Sequence, residues 1–148
     1  MKSRLLSLGS ISEGTLRTED LLEAIASELS PLRLSRAHRK LVNEAGRIDP
    51  ESDEAGDLLQ ELCDAAESYL PPYAYLAMHK HDGACFGVWA SVDSLEEDAA
   101  SGEVLKVSDL SEVPAGYVGY LLHVNDHGNA TLYTRHRNGR LSEHWAIV

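Results

Sequence analysis

Six carboxylates, Asp53, Glu54, Asp57, Glu61, Asp64 and Glu67, stand mostly three or four residues apart with no Lys or Arg among them. At about 100° per residue they occupy an arc of about 140° on one helix face. Like charges at i,i+4, such as Asp53/Asp57 and Asp57/Glu61, repel by about 0.2–0.5 kcal/mol each. The chemistry such an array offers is attraction for a basic surface. Carboxylates at intervals of several ångströms can imitate the phosphates of a duplex, which run about 1.7 Å apart along the axis when both strands are counted. They would fit the Lys/Arg groove of a nucleic-acid-binding protein and speed its association at low salt. Glu96, Glu97 and Asp98, then Glu103, Asp109 and Glu112, extend the acidity into the next segment. Two plainer readings stand beside this one. The helix face is merely solvated, or it pairs with the basic residues of the helix before it.

The histidines are the second source of chemistry. His79, His81 and Asp82 cluster at one turn, and Asp126 and His127 at another. His79 and His81 fall on the same side of a strand end, so they could supply two metal ligands, and Asp126 and His127 could supply more if the two turns converge. Asp126 and His127 could equally serve as an acid/base pair beside a Ser or Cys85 nucleophile. Against this, no HExxH or CxxC is present, so no zinc signature appears. Asn125-Asp126-His127-Gly128-Asn129 is the composition of a tight hairpin loop without any chemistry. No metal site is assigned. GxGxxG and GxxxxGK[ST] are both absent, so no nucleotide cradle and no cofactor is expected.

The charge is concentrated. The chain of 148 residues has net charge −11. Residues 51–113 alone hold two basic and fifteen acidic groups, net −13, between two segments of net +1 each. That balance disfavours direct binding to nucleic acid or an anionic membrane. No run reaches the roughly eighteen apolar residues of a membrane span. The opening segment, 1–11, is too short in apolar residues for a signal-peptide core. Cys63 and Cys85 are therefore expected as free thiols in a cytoplasmic protein.

The elements that must position these groups read as one α+β domain over residues 1–148. Residues 1–70 are mainly helical. The first helix follows a Thr18 cap, with Leu21, Leu22, Ile25 and Leu29 inward. The second opens on Ser30-Pro31, with Leu34, Ala37, Leu41, Ala45 and Ile48 on one face. Arg33, Arg36, Lys40 and Arg47 lie on its other face, flanked by Arg39. This basic stripe could form an oppositely charged contact surface or the self-complementary half of a homodimer. The third helix opens on Asp49-Pro50 and buries Ala55, Leu58, Leu59, Leu62, Ala66 and Tyr69, with Pro71-Pro72 ending it. Residues 71–148 then alternate with period two. A hairpin joins 73–80 and 85–93 around Asp82-Gly83. A short helix near 94–102 starts at a Ser94 capping box. A brief strand at 104–107 precedes a three-stranded meander at 117–124, 131–136 and 141–148. The expected architecture is three helices packed on one antiparallel sheet of about five strands.

Three stretches together resemble a group of small, mostly uncharacterised proteins of tailed phages and prophages. They are Ser7 to Leu16, the His81-Asp82-Gly83-Ala84-Cys85-Phe86-Gly87-Val88-Trp89 hairpin, and Val107 to Pro114 leading to Tyr117 and to His123 through Asn129. The resemblance implies a phage setting and brings no catalytic residues. Small acidic phage proteins are often antagonists of host restriction or CRISPR systems. The function expected is thus a non-enzymatic protein whose acidic surface occupies a basic site on a host protein. Asp53, Glu54, Asp57, Glu61, Asp64, Glu67, Glu96, Glu97 and Asp98 would make the contact. The alternatives are a small His/Asp hydrolase or metal-dependent enzyme, and an accessory phage protein whose acidity serves solubility alone.

Overall fold

A computed structural model describes residues 4–148. Met1, Lys2 and Ser3, which begin the segment tested for an export signal, lie outside the described residues. The chain is α+β and divides into two compact units, one ending at Ala90 and one beginning at Ser91.

The first unit holds β1 (Gly9–Glu13), α1 (Thr18–Leu29), α2 (Arg36–Ala45), α3 (Asp53–Glu67), β2 (Ala74–His79) and β3 (Asp82–Ala90). Its sheet has the order β1-β3-β2, antiparallel throughout. Ile25, Leu29, Leu62 and Val88 are fully buried at the centre of its core. The apolar stripes expected on α1 and α3 are the ones buried.

The helix starts fall later or earlier than the cap residues suggested. Helix α1 begins at Thr18 itself; its cap position is Arg17, whose N–H donates to Thr15 Oγ1 at 3.2 Å. Helix α2 is capped by Ser35, which accepts from the His38 N–H, and not by Ser30. Residues 30–34 instead form a turn held by the Arg39 guanidinium, which donates to the carbonyls of Ser30 and Leu32 at 2.8 Å. Asp49-Pro50 likewise makes a turn, with Asp49 accepting from the Glu51 N–H, before α3 starts after Ser52. Val42 is the buried residue of α2, while Ala37 is exposed. Leu34 and Ile48 lie outside the helix, yet with Leu41 and Ala45 they pack half-buried against the core, so Ala37 is the one residue of the expected face that does not.

The hairpin is present, but its turn is Lys80-His81. His79 pairs directly with Asp82, so Asp82-Gly83 belong to β3.

The second unit holds α4 (Val92–Ser101), β4 (Val104–Val107), a 3-10 turn (Leu110–Glu112), β5 (Gly119–Val124), β6 (Ala130–Arg135) and β7 (Leu141–Ile147). Helix α4 starts at Val92, ahead of Ser94, and ends at Gly102, whose φ of +88° needs a residue without Cβ. The expected meander forms β5-β6-β7, with turns at 125–129 and 137–140. Strand β4 pairs with β5 in parallel, making a four-stranded mixed sheet. The single antiparallel sheet expected from the sequence is therefore two sheets. Both edges of β3 are filled within the first unit, by β1 and β2, and β4 reaches β5 through a crossover.

Candidate acidic interface

Helix α3 is built to keep one face wet. Ala55, Leu58, Leu62, Ala65 and Ala66 are buried on one side. Asp53, Glu54, Asp57, Glu61, Asp64 and Glu67 are all exposed on the other. The helix is anchored at its C-terminal end by Tyr69, whose phenol oxygen accepts from the Ser35 N–H at 3.0 Å and lies 2.7 Å from His38 Nδ1. That pair of contacts ties the start of α2 to the end of α3.

Asp53 and Glu54 sit in the first turn, where the helix dipole favours negative charge. The other four gain nothing there. The i,i+3 pairs Glu54/Asp57, Glu61/Asp64 and Asp64/Glu67 add to the two i,i+4 repulsions. Among the described residues, the ion pairs are Arg17–Glu19 and Lys106–Glu96, both at 3.0 Å. None of the six α3 carboxylates is in one, and none is paired with the basic residues of α2. Gln60 donates to Asp64 Oδ1 at 3.0 Å, a contact that leaves the charge in place. With about 1.5 Å rise per residue, Asp53 to Glu67 spans about 21 Å, or one carboxylate every ~4 Å. That interval is close to the ~3.4 Å axial spacing of phosphates along one strand.

The remaining acidic candidates lie on α4, in the second unit. Glu96 is neutralised by Lys106 Nζ at 3.0 and 3.1 Å, Glu97 is exposed, and Asp98 is half-buried. Glu96 therefore does not share the unneutralised character of the α3 face.

His79, His81 and Asp82 are in the first unit, and Asp126 and His127 in the second. No group of three or more His, Cys, Asp or Glu among the described residues could hold a metal ion. His79 packs edge-on against Trp89, with ring centroids 4.8 Å apart, and its Nδ1 accepts from the His81 N–H. Asn125, at the other turn, accepts from the N–H groups of His127 and Asn129. Both turns use their side chains to close the backbone. Cys63 and Cys85 are free thiols. Burial, then Asp64 and Glu67, pushes the Cys63 thiol up; burial, then Glu13 and Asp82, does the same at Cys85. Neither is an activated nucleophile.

Sequence reasoning missed two contacts on the second sheet. His136 Nε2 lies 2.7 Å from Ser142 Oγ, and His144 Nε2 lies 2.6 Å from Thr134 Oγ1. They become visible only once β6 and β7 are in register. His136–Ser142 has a base–nucleophile distance, but among the described residues no carboxylate orients the imidazole as that chemistry needs. Burial, then His136, holds the His144 pKa below the usual imidazole range. The unfolded chain therefore binds this proton first as pH falls. Stability is complete above about pH 6.5 and declines as pH drops below it, until both states are protonated. Urea denaturation of His144→Phe should show a flatter profile between pH 7 and 5 than wild type; identical slopes would discount this burial effect.

No family model, no curated protein and no solved structure matches the chain.

Proposed function

We propose that this chain is a non-enzymatic interaction protein whose α3 face occupies a basic site on a nucleic-acid-binding protein, as a phage antagonist of a host restriction or CRISPR effector would in the host cytoplasm. The observation that supports this reading is the set of six exposed α3 carboxylates, none of them in an ion pair among the described residues. Their ~4 Å spacing suits a groove that receives a phosphate backbone. A solubilising surface needs neither the alignment nor the absence of intervening cations. No helix among the described residues is long and apolar enough to cross a membrane.

The test is binding to a panel of purified basic effectors, with duplex DNA as competitor. Binding should weaken steeply between about 50 and 200 mM salt, and DNA should displace the protein. The variant Asp53→Lys/Asp57→Lys/Glu61→Lys/Asp64→Lys should lose binding with its far-UV circular dichroism unchanged. Affinity that survives this reversal would remove the reading.

A further inference from the structure

We infer that the α2–α3 face of the first unit is self-complementary and joins two copies of this chain in a two-fold dimer. Arg36 and Lys40 on α2, Arg33 in the turn before it and Arg47 just after it are exposed; Arg33 and Arg47 thus lie off the helix on which the sequence placed them. Arg39, held on the Ser30 and Leu32 carbonyls, completes the wall of an open groove of about 640 Å³ with Leu34 and Asn43. Beside it runs a second, shallow groove of about 380 Å³ between the helices. Ala37, His38 and Leu41 of α2 line one bank, and Glu61, Asp64 and Ala65 of α3 the other. Beyond that lies the acidic face. The surface is thus positive on one side of an inter-helical seam and negative on the other.

A bipolar face of this kind complements itself. Rotation by 180° about an axis that lies in the interface and runs along the seam lays the cations of one copy over the carboxylates of the other, and the reverse contact forms by symmetry. The cations and carboxylates do not pair within one copy, so both sets remain available to a partner. The small and apolar residues that line the seam, Ala37, Leu41 and Ala65, let the two surfaces close on each other across the axis. Two helices about 10 Å apart and about 15–22 Å long present roughly 400 Å² per copy. That area lies below a standard stable interface, so the dimer is reversible and concentration-dependent. It uses the carboxylates assigned above to a basic partner, so the two bindings compete. The dimer itself does not depend on that assignment, since its test contains only this chain.

The test is a charge swap followed by sedimentation velocity at about 0.1 M salt, where the ~10 Å screening length weakens repulsion between whole molecules of like charge. Wild type should show a concentration-dependent monomer–dimer equilibrium. Arg33→Glu/Arg36→Glu/Lys40→Glu places acid against acid, and Asp57→Lys/Glu61→Lys/Asp64→Lys places base against base. Each alone should weaken dimerisation at least about tenfold. Mixed in equal amounts they should form a heterodimer, because each reversed helix then meets its opposite. In wild type, carbodiimide should join Lys40 to an α3 carboxylate in the dimer band, a result that needs no variant to fold. A wild type that stays monomeric at high micromolar concentration overturns the inference. So does a mixture that fails to associate, or a reversed variant that dimerises like wild type.

Discussion

Replacing Gly87 with Ala destabilises the first unit by about 2–3 kcal/mol, while the same replacement at Gly83 in the same strand is close to neutral. The difference lies in what a new Cβ would meet. At Gly87 it would fall 2.8 Å from Ser10 Cα and 2.8 Å from Trp89 Cζ2, and against the Gly9 carbonyl oxygen. At Gly83 nothing lies within 4 Å. Gly87 sits in the central strand opposite both Ser10 of β1 and Ala77 of β2. The Trp89 indole is fixed there by its Nε1–H, which donates to the Ala77 carbonyl at 2.9 Å. The glycine thus sets the distance at which β1 and the indole close over β3. Two of the three obstructing atoms are backbone, so relief requires moving a strand and not turning a side chain. Overpacking of that kind costs about 1–3 kcal/mol or more, a large share of the 5–15 kcal/mol that holds a typical domain. Urea denaturation followed by tryptophan fluorescence measures it. Equal midpoints for the two alanine variants would show that β1 yields freely.

Gly87 also marks where sequence reasoning stops. Nothing in Cys85-Phe86-Gly87-Val88-Trp89 signals that another backbone crosses at that residue, because the crossing strand is more than seventy positions away. Strand β1 itself, Gly-Ser-Ile-Ser-Glu, carries one bulky apolar residue and a register shift between Ser10 and Ser12. It forms because β3 offers a free edge. The parallel β4–β5 pair was hidden for a similar reason: pairing direction is set by the crossover, not by the four residues of β4. Local signals fared better. The α3 stripe repeats over four turns, so its phase survives an error at its start. The meander carries turn residues at both ends of each strand. Helix starts were misplaced because Ser, Thr and Asp close turns with the same hydrogen bonds that cap helices, as Asp49 does. For the candidate site this left the acidic face legible and its surroundings not. The i,i+3/i,i+4 spacing placed six carboxylates on one side of α3. Their lack of cationic partners depends on where the α2 side chains point, and the neutralisation of Glu96 on a lysine ten residues away.

Neutralising the centre of the α3 face should raise stability and remove binding together. Asp57→Asn/Glu61→Gln/Asp64→Asn eliminates five like-charge pairs, Asp53/Asp57, Glu54/Asp57, Asp57/Glu61, Glu61/Asp64 and Asp64/Glu67. At about 0.2–0.5 kcal/mol per pair, the gain is about 1–2.5 kcal/mol. Asp53 and Glu54 are kept, so the favourable charges at the helix N-terminus remain. The three side chains are exposed and the replacements nearly isosteric, so the buried stripe is untouched. For a unit of this size the melting temperature should rise by about 4–20 °C at low salt. Added salt screens the same repulsions, so wild type should gain stability with ionic strength until the two melting curves approach each other. A variant no more stable than wild type would mean that the carboxylates do not strain the helix. On the proposed function, this variant should also lose affinity for the basic effector by at least about a hundredfold, three charge-assisted contacts having gone. Solubility alone does not link these two changes. A face kept only for solvation would tolerate intervening lysines that relieve the repulsion, whereas a face that must present uninterrupted negative charge retains the strain, because the strain and the binding arise from the same unneutralised carboxylates.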